Sequence, residues 1–469
     1  MQELERFGDI VENTIQHQEE FFQTGRTFDV NFRREVLKKL RKTIVKRKEE
    51  ILDALYEDMG NDRLTGFVKD IGVTIHEIDY ILKNLKKWSK SKTKFAGLLA
   101  FPALRAKKVP MPRGRVVLIT PWNYPILLTL VPLAYAVAAG NTVIVKPSEI
   151  SKKTSQVVME IIEETFDPSH VTCFLGGKEV ATELIVRKHG LIYFIGGEKV
   201  GRIIAEAAAK TLTPTVLELG GKSPAIVDDD KSIKVTAKRI ILGKWVNAGQ
   251  TCVAPDYILV RKEIKEKLVQ ALINALKEMK LDNAEPTTSS KIINEHHFER
   301  LIRLKKGLED KILFGGVTDR HARFIQITLI DNPPLDHPIM QEEIFGPLLP
   351  ILEYENENEL LSIIGRNPTP LALYIFGSDK KFTRDIHSKV QFGNGCINDT
   401  LFQFGVQGLP IGGVGTSGYG YNKGKESFDE FSRMVAILKK PRKIDNPFFY
   451  PPHGKLSKWL TELIYRTKL

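Results

Sequence analysis

The chain of 469 residues carries a formal net charge of +12, with 42% hydrophobic and 27% charged residues. That length exceeds one ordinary domain and anticipates two or three units with sizeable cores, while the near-average composition excludes a disordered, collagenous or short-repeat protein. Three cysteines exclude a disulfide framework and suit a reducing, cytoplasmic setting.

The opening residues Gln2, Glu3, Glu5 and Arg6 show no secretory pattern. The longest nearly apolar stretch, 126–139, is too short to span a bilayer and reads as a buried helix. Positive charge favours anionic partners in general. Its runs, such as Arg33-Arg34 and Lys46-Arg47-Lys48, are followed closely by acidic residues, as on a solvated helix face. No zinc-finger or recognition-helix pattern accompanies them, so nucleic acid is not an expected partner.

Residues 1–90 space their apolar side chains as helices do, with Val36, Leu37, Leu40 and Ile44, then Ile51, Leu52 and Leu55. From Arg115 short β-branched runs alternate with longer helical ones, the pattern of βαβ units around a mostly parallel sheet. Strands are predicted at 116–119, 142–146, 171–175, 191–195 and 215–219, with helices at 126–139, 152–165, 178–187 and 199–210. Right-handed crossovers wind such a series into a doubly wound, Rossmann-type nucleotide-binding sheet. A second αβ series follows, with strands at 224–228, 257–261, 326–330, 347–353, 371–376 and 395–398 and long helices at 263–279 and 291–306.

Segments 91–112 and 428–440 read as β arms of a small oligomerisation sheet. The expected α/β organisation is therefore a nucleotide-binding domain of 1–90 with 113–218, a catalytic domain of 219–427, the arm, and a tail of 441–469.

Cys252 follows Asn247-Ala248-Gly249-Gln250-Thr251, a polar loop between a helix and a strand. A thiol there is expected to be exposed, with backbone N–H groups lowering its pKa. Cys173 and Cys396 lie in strand-like surroundings and read as small buried hydrophobes. Glu218 ends an apolar strand before Gly220-Gly221-Lys222, where desolvation would raise its pKa toward that of a general base. The competing reading is an ion pair with Lys222.

Trp122-Asn123 lies at the carboxyl end of the first sheet strand, where ligands bind in open α/β sheets and an amide can donate to an oxyanion; an ordinary proline-flanked turn is the alternative. Lys146 and Glu149 stand at another strand end, suited to ribose hydroxyls, with Ser148 or Ser151 equally suited to cap a helix. Gly196-Gly197-Glu198-Lys199-Val200-Gly201 opens a helix, where backbone N–H groups would meet a pyrophosphate. Glu343 and Phe345 precede a turn, as a strand entry also would. The ten histidines show no metal-ligand spacing, His296-His297 reads as a surface pair, and no metal is expected.

Together and in this order, Pro121-Trp122-Asn123, Leu217-Glu218-Leu219-Gly220-Gly221-Lys222, Gly249-Gln250-Thr251-Cys252 and Glu343-Ile344-Phe345-Gly346-Pro347 resemble the aldehyde dehydrogenase superfamily across nearly the whole chain. The tract from Gly249 to Tyr257 looks most like its class 3 branch of fatty and aromatic aldehyde dehydrogenases. The resemblance implies that Cys252 is the nucleophile, that Asn123 with the Cys252 N–H forms an oxyanion hole, and that Glu218 activates water, with Glu343 a competitor for that role. It also implies that Lys146 and Glu149 hold the adenosine ribose, that Gly196 and Gly201 shape the pyrophosphate turn, that Glu343 and Phe345 hold the nicotinamide ribose and ring, and that Trp122, Gly197 and Leu219 also bind the cofactor. NAD, with NADP possible, an aldehyde substrate and a homodimer follow from the same resemblance. A departure is Gly197-Glu198 where many members carry Ser-Thr, which removes a hydroxyl and adds a negative charge near the phosphates.

Rival readings are a CoA-acylating enzyme, which shares the cysteine and the fold, and a non-enzymatic protein on the same fold. The tail from Lys439 to Leu469 has eight Lys or Arg against two acidic residues. Leu456, Trp459, Leu460, Leu463 and Ile464 share one helical face there, so the tail suits either peripheral contact with an anionic membrane or docking on protein.

Overall fold

The fold is described from a computed structural model over residues 2–97, 100–282 and 290–466. Its first sheet runs Thr215–Glu218, Leu191–Ile195, Arg115–Ile119, Thr142–Lys146 and Val171–Cys173 from one side to the other, all parallel. Thr142–Lys146 and Leu191–Ile195 are buried at every residue, as parallel strands covered by helices on both faces are. Chain order reverses between Arg115–Ile119 and Leu191–Ile195, which pair from Val116 with Leu191 to Ile119 with Phe194. A crevice for ligands opens beyond the carboxyl ends of strands at such a reversal.

Strand formation in the second half follows the same logic. There the order is Ile312–Phe314, Thr328–Asp331, Leu348–Tyr354, Tyr257–Arg261, Pro224–Val227, Ala372–Phe376 and Asn394–Ile397. All neighbours are parallel except Ile312–Phe314, which is antiparallel to Thr328–Asp331.

Helix Leu127–Ala138 is buried along its whole length and packs against Val30–Lys46 and Val73–Trp88. Those amphipathic helices, with Lys48–Met59, bury Leu37, Leu40, Ile44, Ile51, Leu52 and Leu55 in one cluster with the first sheet. Among the described residues no helix is long and apolar enough to cross a membrane.

Several elements differ from expectation, each for a local reason. The first sheet gains a sixth strand, Gly418–Tyr419, antiparallel to Thr215–Glu218. Leu219 leaves the ladder because its N–H donates to Ser417 O at 3.1 Å. Residues 326–327, expected within a strand, instead precede the observed strand Thr328–Asp331, because Phe324–Ile325 pairs with Thr318–Asp319. The arm strands Lys92–Phe95, Arg105–Pro112 and Ser432–Leu438 form one antiparallel sheet. Phe428, expected on that arm, lies in helix Gly424–Glu430. Helical spacing turns Phe428 and Phe431 inward, where their rings meet Trp88 at 5.6 Å and Tyr193 at 5.2 Å.

Leu118 is fully buried at the centre of the first sheet. Leu118→Ala is expected to cost about 2–5 kcal/mol through lost burial and a residual cavity, read as a lowered thermal midpoint with no change in far-UV circular dichroism at 20 °C.

Candidate active site

The chain reaches Cys252 through three successive left-handed residues, Asn247 (φ 56°), Ala248 (φ 52°) and Gly249 (φ 71°), just past helix Ile233–Trp245. For Ala248 that conformation costs on the order of 1–2 kcal/mol, so the loop has to be held. Gly249 is obligatory, because a Cβ there would stand 2.3 Å from Gly346 O.

Hydrogen bonds supply the hold. Asn123 Nδ2 and Asn247 Nδ2 both donate to Gln250 O at 3.1 Å, and Asn247 Nδ2 also donates to Asn123 O at 2.9 Å. Gln250 Nε2 donates to Asn247 O and Lys291 O at 3.0 Å, and its Oε1 accepts from Ile293 N at 2.9 Å. Buried Lys69 donates to Asn247 Oδ1 at 2.5 Å, which fixes the direction of that amide. Because an amide nitrogen carries two hydrogens, the bond to Gln250 O leaves Asn123 one further donor in a fixed plane.

Cys252 and Asn123 line a single cleft of about 910 Å³, counted to its open mouth, with Trp122, Gly196, Gly197 and Glu218. Leu219, Glu343 and Phe345 line it too. Lys146, Glu149 and Gly201 are not in that lining. Lys146 Nζ donates to Glu149 Oε2 at 2.5 Å beyond the next strand's carboxyl end. Gly201 lies within helix Glu198–Thr211, past the turn it was expected to shape. A Cβ on it would stand 2.7 Å from Leu219 Cδ2, so its bare backbone serves helix–sheet packing. Glu198, the added negative charge, is paired with Arg202 at 2.5 Å.

Glu218 is not the partner of Lys222. Lys222 Nζ donates to Asp256 Oδ2 at 2.6 Å, Ile339 O at 2.7 Å and Glu342 O at 3.1 Å. That leaves the buried Glu218 Oε1 with no hydrogen-bond partner. Burial raises the Glu218 carboxyl well above the usual carboxylate range, and Glu430 adds to this. Burial likewise pushes Glu343 up to about 8, with Asp256 adding and the Gly221 N–H, Arg300 and Lys222 opposing. Glu343 covers Gly220, where a Cβ would stand 2.0 Å from its Oε2.

The thiol of Cys252 departs from expectation. It is half-buried rather than exposed, and burial, then Glu343 and Glu218, push it up to about 12 despite the N–H groups of Cys252 and Val253. The loop does aim N–H groups at the sulfur; desolvation and two carboxyls outweigh them. Cys396 also differs, since its Sγ donates to Gln403 Oε1 at 2.8 Å. Cys173 packs against the first core.

His297, expected as one of a surface pair, lines the cleft with its ring 5.1 Å from that of Trp122. Arg300 lines it as well and donates to Glu343 O at 3.1 Å and Ile344 O at 2.5 Å. Their i, i+3 spacing on helix Glu295–Lys305 was the available signal, for it puts both on one face. Phe404, Ile411 and Asn422 also line the cleft, from a segment with no motif. Among the described residues no group of three or more His, Cys, Asp or Glu is placed to hold a metal ion.

A doubly wound sheet whose crevice meets a loop-borne thiol, an amide and buried carboxyls defines the class of nucleotide-dependent oxidoreductases. Residues 8–437 match the aldehyde dehydrogenase family, and the chain belongs to it; it is an aldehyde dehydrogenase. It is 41% identical to 4,4'-diaponeurosporen-aldehyde dehydrogenase of Staphylococcus aureus, over 96% of this chain and 98% of that one. It is also 41% identical to aldehyde dehydrogenase family 3 member H1 of Arabidopsis thaliana, over 92% and 90%. The substrate-bound Staphylococcus aureus AldH superposes with a TM-score of 0.94 at 40% identity, over 97% of this chain and 99% of that one. Betaine aldehyde dehydrogenase of the same organism in complex with NAD+ gives 0.83 at 28% identity, over 94% and 88%. Glyceraldehyde-3-phosphate dehydrogenase of Methanocaldococcus jannaschii with NADP gives 0.83 at 26%, over 92% and 94%.

Negative neighbours raise a thiol's pKa, so removing one lowers it. Alkylation of Cys252 by iodoacetamide in the free enzyme is expected to accelerate with pH well into the alkaline range, and Glu343→Gln is expected to move that profile to lower pH. Mass spectrometry of the Cys252 peptide gives the rates; an unmoved or upward-moved profile would contradict the electrostatics described above.

Proposed function

We propose that this enzyme oxidises an apolar aldehyde, medium- or long-chain aliphatic or aromatic, to the carboxylic acid with NAD+ or NADP+ as acceptor. One observation carries the reading: a thiol, an amide held in one plane and a buried carboxyl with one partnerless oxygen open onto one cleft whose other walls include Leu128, Leu371, Phe404 and Ile411. Apolar walls recognise a hydrocarbon by area removed from water.

The residues present fit a dinucleotide. A Cβ on Gly197 would meet nothing within 4 Å, which leaves the amino end of helix Glu198–Thr211 open to an anion. Gly196 and Gly197 would hold the pyrophosphate, Lys146 and Glu149 the adenosine ribose, and Trp122, Leu219, Glu343 and Phe345 would surround the nicotinamide and its ribose. When bound, that group supplies the hydride acceptor.

In this reading the Cys252 sulfur attacks the carbonyl carbon as a thiolate, forming a carbon–sulfur bond while the carbonyl π pair moves to oxygen. The free N–H of Asn123 and the backbone N–H of Cys252 donate to that oxyanion. Oxidation of the thiohemiacetal leaves a thioester on Cys252. Glu218 takes a proton from water, the hydroxide adds to the acyl carbon, and the carbon–sulfur bond breaks to release acid and thiolate. Lacking any protein partner, Glu218 Oε1 is free to face that water. This favours water over coenzyme A as the acyl acceptor, and it favours Glu218 over Glu343, whose carboxylate accepts from the Gly221 N–H.

Two further properties belong to this reading. Exposed Phe95, Ile437 and Leu438 on the arm sheet suit burial between two copies in a homodimer. Tail helix Lys455–Tyr465 exposes Leu456, Trp459 and Leu463 on one face beside Lys455 and Lys458. That combination suits an anionic bilayer surface, where apolar insertion and charge attraction add.

Cys252→Ala is expected to abolish aldehyde-dependent NAD(P)H formation. Glu218→Gln is expected to give a stoichiometric NAD(P)H burst in stopped flow, followed by steady turnover slower by about 10²–10⁴-fold. Full wild-type turnover in Cys252→Ala would sink the mechanism. With phosphatidylglycerol-containing vesicles, full-length protein is expected to co-sediment and protein truncated after Pro452 is not; equal sedimentation would remove the membrane reading.

A further inference from the structure

The segment that closes the cleft, residues 402–424, does not rest on its own sheet alone. It lies against helices of the first half. Its backbone holds one conformation that demands a cause: Lys423 has φ 82° and ψ 167°, a region that only glycine enters without strain. A strained non-glycine residue persists where its surroundings over-determine it, and here the surroundings are specific.

Lys423 and Glu77 are both about 1% exposed, and Lys423 Nζ stands 3.3 Å from Glu77 Oε2. Glu77 comes from helix Val73–Trp88, and its other oxygen accepts from Tyr135 OH at 2.6 Å. The same ammonium donates to Phe404 O and sits 5.1 Å from the centre of the Phe404 ring. Phe404 lines the catalytic cleft, as does Asn422 beside Lys423 and its bridge partner Ile411. A second tie is nearby, where Gln407 Nε2 donates to His76 O at 2.7 Å.

A buried ion pair is weak evidence for net stability, because desolvation offsets the attraction, yet breaking it leaves a charge alone in apolar surroundings. What such a pair does well is fix one geometry. From this arrangement we propose that the Glu77–Lys423 pair is a positioning clamp that holds Phe404, and with it the aldehyde-side wall of the cleft, so that it sets preference for long apolar substrates without touching substrate. The proposal rests on the function given above. Lys423 acts through Phe404, and neither Glu77 nor Lys423 lines the cleft.

The test compares kcat/KM for dodecanal with kcat/KM for propanal in the full-length enzyme. Lys423→Met, which keeps chain length but removes the ammonium, is expected to lower that ratio at least about tenfold, within the range that apolar contacts discriminate. The loss is expected mainly in KM for dodecanal, with propanal turnover within about threefold of wild type. Phe404→Ala is expected to lower the same ratio, and the double variant to lower it little further than either, the non-additivity of residues acting as a unit. Should Lys423→Met fail to fold, Gln407→Ala at a half-buried site is expected to lower the ratio in the same direction by about threefold or more. A ratio unchanged in every variant that folds, or equal losses on both aldehydes, would overturn the clamp while leaving the function standing. Wild-type protein that oxidised neither aldehyde would overturn both.

Discussion

One carbonyl oxygen organises the chemistry of this molecule. Gln250 O accepts from the side-chain amides of Asn123 and Asn247, and so ties the turn after the first sheet's central strand to the loop that carries Cys252. The two halves of the chain meet there through buried polar groups that bond to one another. An unmade hydrogen bond at such a site costs about 1–3 kcal/mol, so the bonds that orient the amide also hold the strained loop. Lys69 completes the arrangement from a third element, a turn of π-helix at Phe67–Gly72. Irregular helical turns of this kind recur at functional sites because they redirect one side chain.

The same burial sets the protonation of the site. Cys252, Glu218 and Glu343 are all raised, chiefly by desolvation, and Glu343 and Glu218 raise Cys252 further. The free enzyme therefore keeps its thiol protonated near neutral pH, and the thiolate is a minor form until charge in the cleft changes. The thiol titrates in the field of both carboxyls, so its titration depends on their charge.

Much of the fold was legible in advance, and the reasons are local. Thr142–Lys146, Leu191–Ile195 and Tyr257–Arg261 begin and end where the β-branched and apolar runs do, because each is buried and bounded by polar or glycine turns. The nine expected site residues that line one cleft, Cys252 among them, were readable because motif spacing survives without knowledge of contacts. Other features left no local trace. A two-residue strand such as Gly418–Tyr419 has no periodicity, and its return to Glu218 depends on a partner 200 residues earlier. Lys222 looked like a partner for Glu218 from four residues away, yet its ammonium is taken by Asp256 and two carbonyls of distant segments.

The sequence by itself determined the two αβ series, the thiol and amide that share one cleft, and the strand ends where a dinucleotide would lie, since these follow from periodicity and from residue chemistry at fixed spacing. Only the tertiary structure decided the protonation of Cys252, the isolation of Glu218, the entry of His297 into the cleft and the pairing of Glu77 with Lys423. Those depend on desolvation and on which distant groups come within a few ångströms, quantities that no short window of residues contains.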